Sequence, residues 1–284
     1  MCEPRELEFN LQDRRVAALI WGDNDKPLVL ALHGWLDNAA SFALLAPLLN
    51  RYQIVALDLA GHGRSQWRSR DASYPIWGYV DDLRRVQQHL GADRFMLLGH
   101  SLGAGVASLF SACWPQAVIK LALIENLGPL ADVEEGFAQA LRLGIEQHQE
   151  PVKLAKARPF EAWVRSRVQS RFPVPEQAAH QLMQRNTRPD NHGLYHYNCD
   201  PRLKLSSLIR LTEAQVRAAL GQIECPVQLI RGSQGVKHPL THERIRCVKN
   251  LVETEIEGGH HLHLEPGAVS AVADVLDAFY ADIE

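Results

Sequence analysis

A serine hydroxyl is a poor nucleophile at neutral pH unless a neighbouring base takes its proton. Residues 99–103, Gly-His-Ser-Leu-Gly, are spaced for that use. They follow an apolar run, Arg94-Phe-Met-Leu-Leu98, and precede a run rich in Ala, Leu and Val from Leu102 to Cys113. A Gly-x-Ser-x-Gly pentapeptide between a strand and a helix lifts its serine onto a sharp turn. The flanking glycines let backbone and helix approach where a Cβ would collide. Ser101 is the candidate nucleophile. Its partners are sought downstream, because the chain order in such an architecture is nucleophile, acid, histidine.

The base is expected in Glu257-Gly-Gly-His-His-Leu-His-Leu-Glu265-Pro266. His260 directly follows two glycines at the end of a predicted strand and can point back to the sheet edge that carries Ser101. His261 and His263 fall one and three positions further on, and His263 reads as a packed or solvent histidine. Glu265 and Pro266 read as the opening of the last helix. The three close histidines lack H-E-x-x-H or comparable spacing with a carboxylate, so no metal is expected. Negative charge developing on a substrate oxygen calls for backbone N–H donors, one of them from the residue after the nucleophile, Leu102. The second is expected from His33-Gly-Trp-Leu-Asp-Asn38, with Gly34 permitting the turn and Trp35 N–H donating.

The elements that must position these groups follow from hydrophobic patterning. Leu7–Leu11 and Arg15–Trp21 read as an opening hairpin. Pro27–Leu32, Gln53–Leu57, Arg94–Leu98 and Val118–Ile124 are compact apolar runs without clean alternation, as in strands buried on both faces of a parallel sheet. Asn38–Leu49, Ile76–Leu90 and Leu102–Cys113 carry apolar residues at helical spacing. This alternation predicts an α/β fold with a mostly parallel, doubly wound sheet. From residue 129 to 216 no Val/Ile-rich strand is visible, and the periodicity is helical. That stretch is expected to be a helical cap inserted into a core of residues 1–128 and 217–284. Phe160, Trp163, Phe172, Tyr195 and Tyr197 are expected to pack inside the cap or line a pocket. The excess of Arg and Lys between Arg142 and Arg171 reads as solvated helix faces. Strand and helix texture returns with Pro226–Ile230, Thr241–Val248, Thr254–Ile256 and Ala268–Tyr280.

At 284 residues the chain suits one large domain with an insertion. A net charge of −3 provides no global field for nucleic acid or an anionic bilayer. No apolar run reaches the length of a membrane span. The five cysteines show no C-x-x-C spacing, and the N-terminal residues lack the basic flank and apolar stretch of a signal peptide. A cytoplasmic location and a small-molecule partner are therefore expected, with oligomeric state left open.

Four motifs in this order resemble the α/β-hydrolase superfamily over about residues 5–128 and 216–282. They are His33-Gly34, Asp58-Leu-Ala-Gly61-His-Gly63-Arg-Ser65, Gly99-His-Ser101-Leu-Gly103, and Gly259-His260 with Glu265-Pro266. Within the superfamily, His33 to Asn38, Gln184-Arg185 and Pro201-Arg202-Leu203 are similar to the serine hydrolase-like proteins. The resemblance implies that Asp58 orders its loop. It also implies an acidic residue after the strand at Val227–Ile230, where most relatives carry aspartate. Here that loop, Arg231-Gly-Ser-Gln-Gly-Val-Lys237, has no carboxylate, and Glu243 comes too late. Some relatives place the acid one strand earlier, where this chain has Glu125 at the end of Leu121-Ala-Leu-Ile. A carboxylate there is costly unless hydrogen-bonded or exposed. Glu125 is the expected acid. A structural carboxylate capping the turn into Gly128-Pro129, or a diad without an acid, are the alternatives.

These residues imply a serine hydrolase with a Ser101–His260–Glu125 triad and a Trp35/Leu102 oxyanion hole. It would cleave a small ester, thioester or related carbonyl compound through an acyl-enzyme, with no cofactor. Carbon-carbon bond hydrolases and cofactor-free lyases use the same groups and stay open. So does a non-catalytic ligand-binding homologue.

Overall fold

The computed structural model describes residues 3–239 and 241–281. Strands β1 (Arg5–Leu11) and β2 (Arg14–Trp21) form the expected hairpin. β3 (Leu28–Leu32), β4 (Gln53–Leu57), β5 (Phe95–His100) and β6 (Val118–Ile124) are the four apolar runs. A two-stranded piece, β7 (Thr187–Pro189) and β8 (Tyr195–Tyr197), lies inside the insertion, and β9 (Val227–Gly232) and β10 (Leu251–Ile256) complete the set. The main sheet has eight strands in the order β1-β2-β4-β3-β5-β6-β9-β10. β1, β2 and β4 pair antiparallel in succession, and every other neighbour pairs parallel.

Successive residues of the central strands serve opposite faces, which explains why the runs lack alternation. Leu30, Leu32, Val55, Leu57, Leu97, Leu121 and Leu123 pack on one side against α1 (Ile76–His89), α2 (Leu102–Cys113) and α6 (Glu213–Leu220). Val29, Ala31, Ile54, Ala56, Met96, Leu98, Ala122 and Ile124 pack on the other side against α8 (Val269–Tyr280). Both faces are covered, as a parallel sheet requires. Three further helices belong to the insertion or its exit: α3 (Phe137–Gln149), α4 (Phe160–Val168) and α5 (Glu176–Asn186). The short α7 (Thr241–Ile245) ends three residues before the expected Val248. No helix of the described residues is long and apolar enough to cross a membrane.

Two expectations need correction. Asn38–Leu49 is not one helix but two 3-10 turns, Ala39–Phe42 and Ala46–Leu48. Pro47 lacks an N–H, the Asn38 side chain accepts from Ala40 N–H to begin the first turn, and Ala39, Phe42, Leu45 and Leu49 are all buried. Here, apolar spacing reflects a loop packed against β2, β3, β4 and α5 (Glu176–Asn186). The insertion is also not purely helical, since Thr187–Pro189 pairs antiparallel with Tyr195–Tyr197. Three residues are too few for a period of two to show.

What matters for chemistry is the row of strand ends. β3 and β5 are neighbours although the chain runs from β3 outward to β4, so the strand order reverses between them. Loops leaving such a switch point diverge and open a crevice at the C-terminal edge. The pairing register aligns Leu32 with Gly99, His100 with Ile124, Ile124 with Ile230, and Gly232 with Ile256. The loops that begin at residues 33, 101, 125, 233 and 257 therefore leave the sheet side by side.

Candidate active site

Ser101 leaves β5 with φ 50° and ψ −111°, a conformation that L residues rarely adopt. It is held there from both sides. Its N–H donates to Ile124 O (3.0 Å), and its carbonyl accepts from Asn126 Nδ2 (3.0 Å) and from Gly105 N–H (3.2 Å). The two flanking glycines earn their place sterically. A Cβ on Gly99 would lie 2.6 Å from Ala104 Cα, and one on Gly103 would overlap Leu32 O. Ser101 is thus the N-cap of α2, whose first-turn amides and positive dipole end face the same edge.

His260 brings Nε2 to 3.1 Å from Ser101 Oγ and Nδ1 to 3.0 Å from Glu125 Oε2. Because the carboxylate only accepts, the proton sits on Nδ1, and Nε2 is left as the acceptor for the serine hydroxyl. Glu125 is itself a positive-φ residue (67°), and its carboxylate is fully buried. It accepts from Gly232 N–H (2.6 Å) and Val236 N–H (2.8 Å). The loop after β9, where sequence reasoning looked in vain for an acid, supplies the donors that solvate Glu125. Gly235 has no side chain because a Cβ there would collide with this carboxylate.

The loop after β3 abuts Ser101, and a Cβ on Gly34 would lie 3.3 Å from Ser101 Cβ. Asp37 N–H turns back to Gly34 O (3.1 Å), and Gly103 N–H donates to His33 O (3.1 Å). These contacts hold residues 33 and 34 against Ser101 and the start of α2, next to the Trp35 and Leu102 positions in the chain. The Trp35 ring is half exposed, and its Nε1 donates to Leu203 O in the insertion (3.0 Å). Phe172, expected to pack inside the cap or line a pocket, lies over the His260 ring at 4.7 Å between centroids. Trp163, Phe160, Tyr195 and Tyr197 do pack within the insertion.

Sequence reasoning missed a second layer behind His260. His100 is fully buried, and burial pushes it well below its ordinary pKa, so it is neutral. Its Nε2 donates to His260 O (2.9 Å), which fixes the histidine loop to β5. His261 is also buried and lowered by burial, and its Nε2 lies 3.1 Å from Asp37 Oδ2. Burial raises the Asp37 carboxyl, but Arg167 and His261 outweigh it and hold the group well below the carboxylate range. Arg167 Nη2 reaches Asp37 Oδ1 (2.9 Å) and His261 Nε2 (3.0 Å). Asp37, His100 and His261 offer ligand atoms within 4.8 Å of one another. The Arg167 guanidinium already reaches two of the three, Asp37 and His261, so a cation there would sit against like charge. The only early hint was Asp37 itself, since its partners lie 130 and 224 residues away.

The remaining candidates have structural partners. His263 is buried, its Nε2 lies 3.0 Å from Ser41 Oγ, and burial lowers it to about 3. Asp58 accepts from Ala39 N–H (2.7 Å), Arg64 N–H (2.8 Å) and Arg185 Nε (2.8 Å), so it orders the loops after β3 and β4. Glu265 does not open α8, which starts at Val269. Its carboxylate reaches back to Gly259 N–H (3.0 Å) and closes the histidine loop.

A doubly wound sheet that presents a serine on the turn after β5, and a hydrogen-bonded histidine and carboxylate on two other strand ends, defines a protein of the α/β-hydrolase type. Residues 27–266 match the α/β-hydrolase fold family, and the chain belongs to that family. It is similar to the serine hydrolase-like protein of Danio rerio, with 32% identity over 89% of this chain and 82% of that one. A crystal structure of a hypothetical protein from Pseudomonas aeruginosa PAO1 superposes with a TM-score of 0.89 at 37% identity, covering 98% of this chain and 99% of the other. The thioesterase domain from the curacin biosynthetic pathway shares the fold, with a TM-score of 0.86, 24% identity, and 96% and 99% of the two chains covered.

Proposed function

We propose that the protein is a serine hydrolase that cleaves a small ester, thioester or related carbonyl substrate through an acyl-enzyme, beneath a cap formed by residues 129–216. The observation that carries this reading is the unbroken line from Ser101 Oγ through His260 to Glu125. The serine hydrolase-like name of the Danio rerio relative supports the hydrolase class.

In the first half-reaction Ser101 Oγ bonds to the substrate carbonyl carbon while its proton passes to His260 Nε2. The imidazolium that forms faces the Glu125 carboxylate, and the carbonyl oxygen, now negative, takes the Trp35 and Leu102 N–H groups. Collapse of this intermediate breaks the bond to the leaving group, which departs with the proton from Nε2. Water then gives a proton to the same nitrogen and attacks the acyl carbon, and the acid product and free Ser101 follow. The Phe172 ring over His260 and the half-exposed Trp35 indole make the mouth apolar, which suits an acyl chain.

Labelling with a fluorophosphonate probe tests the reading. Wild-type protein is expected to be labelled and to hydrolyse p-nitrophenyl acetate, and Ser101→Ala to do neither. Absence of labelling in the wild type, or equal labelling of the variant, overturns it.

A further inference from the structure

The turn that carries Trp35 holds a conformation that its own sequence does not favour. Gly34 to Asp37 is closed by the bond from Asp37 N–H to Gly34 O, and its third residue, Leu36, has φ 63°. A turn with positive φ at that position normally carries Gly or Asn there. Leucine gains nothing locally from such a geometry, so the surroundings must impose it.

Those surroundings are the cap, residue by residue. Trp35 Nε1 donates to Leu203 O (3.0 Å). Leu36 O accepts from Asn186 Nδ2 (3.0 Å) and from Tyr197 OH (3.5 Å). Asp37 pairs with Arg167 (2.9 Å), and Asn38 Nδ2 donates to Leu182 O (2.9 Å). Every residue from 35 to 38 is therefore tied to the insertion, and Asn186, Asp37 and Asn38 are buried. The bonds to Leu36 O are the decisive ones, because they fix the carbonyl that follows the strained residue. Releasing Leu36 into the favoured region turns over the Trp35–Leu36 peptide, and the Trp35 N–H, which lies in the preceding peptide, moves only as Trp35 itself shifts when the turn relaxes.

We propose that the cap assembles the oxyanion hole: Asn186, seconded by Tyr197, is a positioning residue that holds Leu36 in its left-handed conformation and so keeps the turn closed with Trp35, and the N–H it offers, in place beside Ser101. The inference rests on the serine-hydrolase reading for what the amide does, but not for what holds the turn. Cap and oxyanion loop then act as one unit. A substrate that seats the cap well is rewarded in kcat rather than in KM.

The test uses Asn186→Leu, which removes the donor at similar volume, and Tyr197→Phe, which removes only a hydroxyl and keeps the question open if the first variant does not fold. With p-nitrophenyl acetate, kcat is expected to fall about tenfold or more in Asn186→Leu and less in Tyr197→Phe, with KM within about twofold, because misaiming one donor costs less than deleting it. Inhibition by a trifluoromethyl ketone, which forms the oxyanion, should weaken by the same factor, while affinity for the matching unreactive alcohol stays put. Backbone amide hydrogen exchange across residues 34–37 should accelerate in both variants. A folded Asn186→Leu protein with wild-type kcat, a change in KM alone, or unaltered exchange at residues 34–37 overturns the proposal. Failure of the wild type to react with fluorophosphonate would instead sink the hydrolase reading, and the exchange measurement would still decide whether the cap holds the turn.

Discussion

Replacing Glu125 with glutamine removes one charge and adds two hydrogens in a place where three donors already converge. The carboxylate accepts from Gly232 N–H, Val236 N–H and His260 Nδ1 at 2.6, 2.8 and 3.0 Å. A glutamine NH2 placed at the Oε1 position meets the Gly232 N–H. One hydrogen bond is lost and a buried donor stranded, at a cost of about 1–3 kcal/mol in stability. Placed at the Oε2 position, it meets Val236 N–H and drives the His260 proton to Nε2, where the ring can no longer accept from Ser101. The first arrangement keeps the working tautomer but leaves the imidazolium without its counter-charge. At an effective dielectric of about 20, unit charges centred about 4 Å apart are worth roughly 4 kcal/mol, or about 10³ in rate. Loss of the acid in a well-studied triad costs about 10⁴.

Glu125→Gln is therefore expected to reduce kcat for p-nitrophenyl acetate by about 10²–10⁴. The assay pairs initial rates with thermal unfolding, since the two roles of Glu125 separate there. A variant with a lowered unfolding temperature but turnover within a few-fold of wild type would show that Glu125 only fastens the loop after β9, and the triad assignment would fall.

Other outcomes follow from the second layer. His260→Ala should lose turnover by at least about 10³ while keeping its fold, whereas His261→Ala should lose about 1–3 kcal/mol of stability by baring Asp37 and keep most of its activity. Kinetics and urea unfolding on both variants check this, and the reverse pattern would exchange their roles. The protein should also be acid-labile. Burial lowers His33 to about 4 and His62 and His263 to about 3. As pH falls below 6.5 the unfolded chain takes up these protons before the folded one does. Stability that is complete above pH 6.5 is lost toward pH 3–4, at about 2 kcal/mol per histidine by pH 5. Urea midpoints at pH 7 and pH 5 that coincide would contradict this.

The contact between Ser101 and His260 was legible because its signals are local. Glycines flanking Ser101 and preceding His260 mark backbone that must turn sharply or approach closely, and the apolar runs before them place both at strand ends. That Glu125 faces His260 was legible only through a gap, the loop at 231–237 with no carboxylate. The reason for that gap, a loop turned inward to donate amides, is invisible without coordinates. Asn38–Leu49 misled because a loop buried on several sides mimics helical periodicity. The Arg167–Asp37–His261 cluster and the bonds from Asn186 and Tyr197 to Leu36 join residues more than 90 positions apart. No window along the chain contains both halves.

Glu125 stands at the tip of β6, one strand over from Ser101, so the distance between the proposed nucleophile and the proposed acid is set by the lateral repeat of the sheet. Strand pairing is among the stiffest rulers a protein has, with a spacing of about 4.8 Å. The loop after β9 is left with a lighter duty, because it offers only main-chain amides to the carboxylate. Apart from the glycines that crowd it, the side chains at 233, 234, 236 and 237 are free of that duty. They are exposed or half-buried, so their chemistry can be rewritten, by evolution or by a designer, without moving the line from Ser101 through His260 to Glu125.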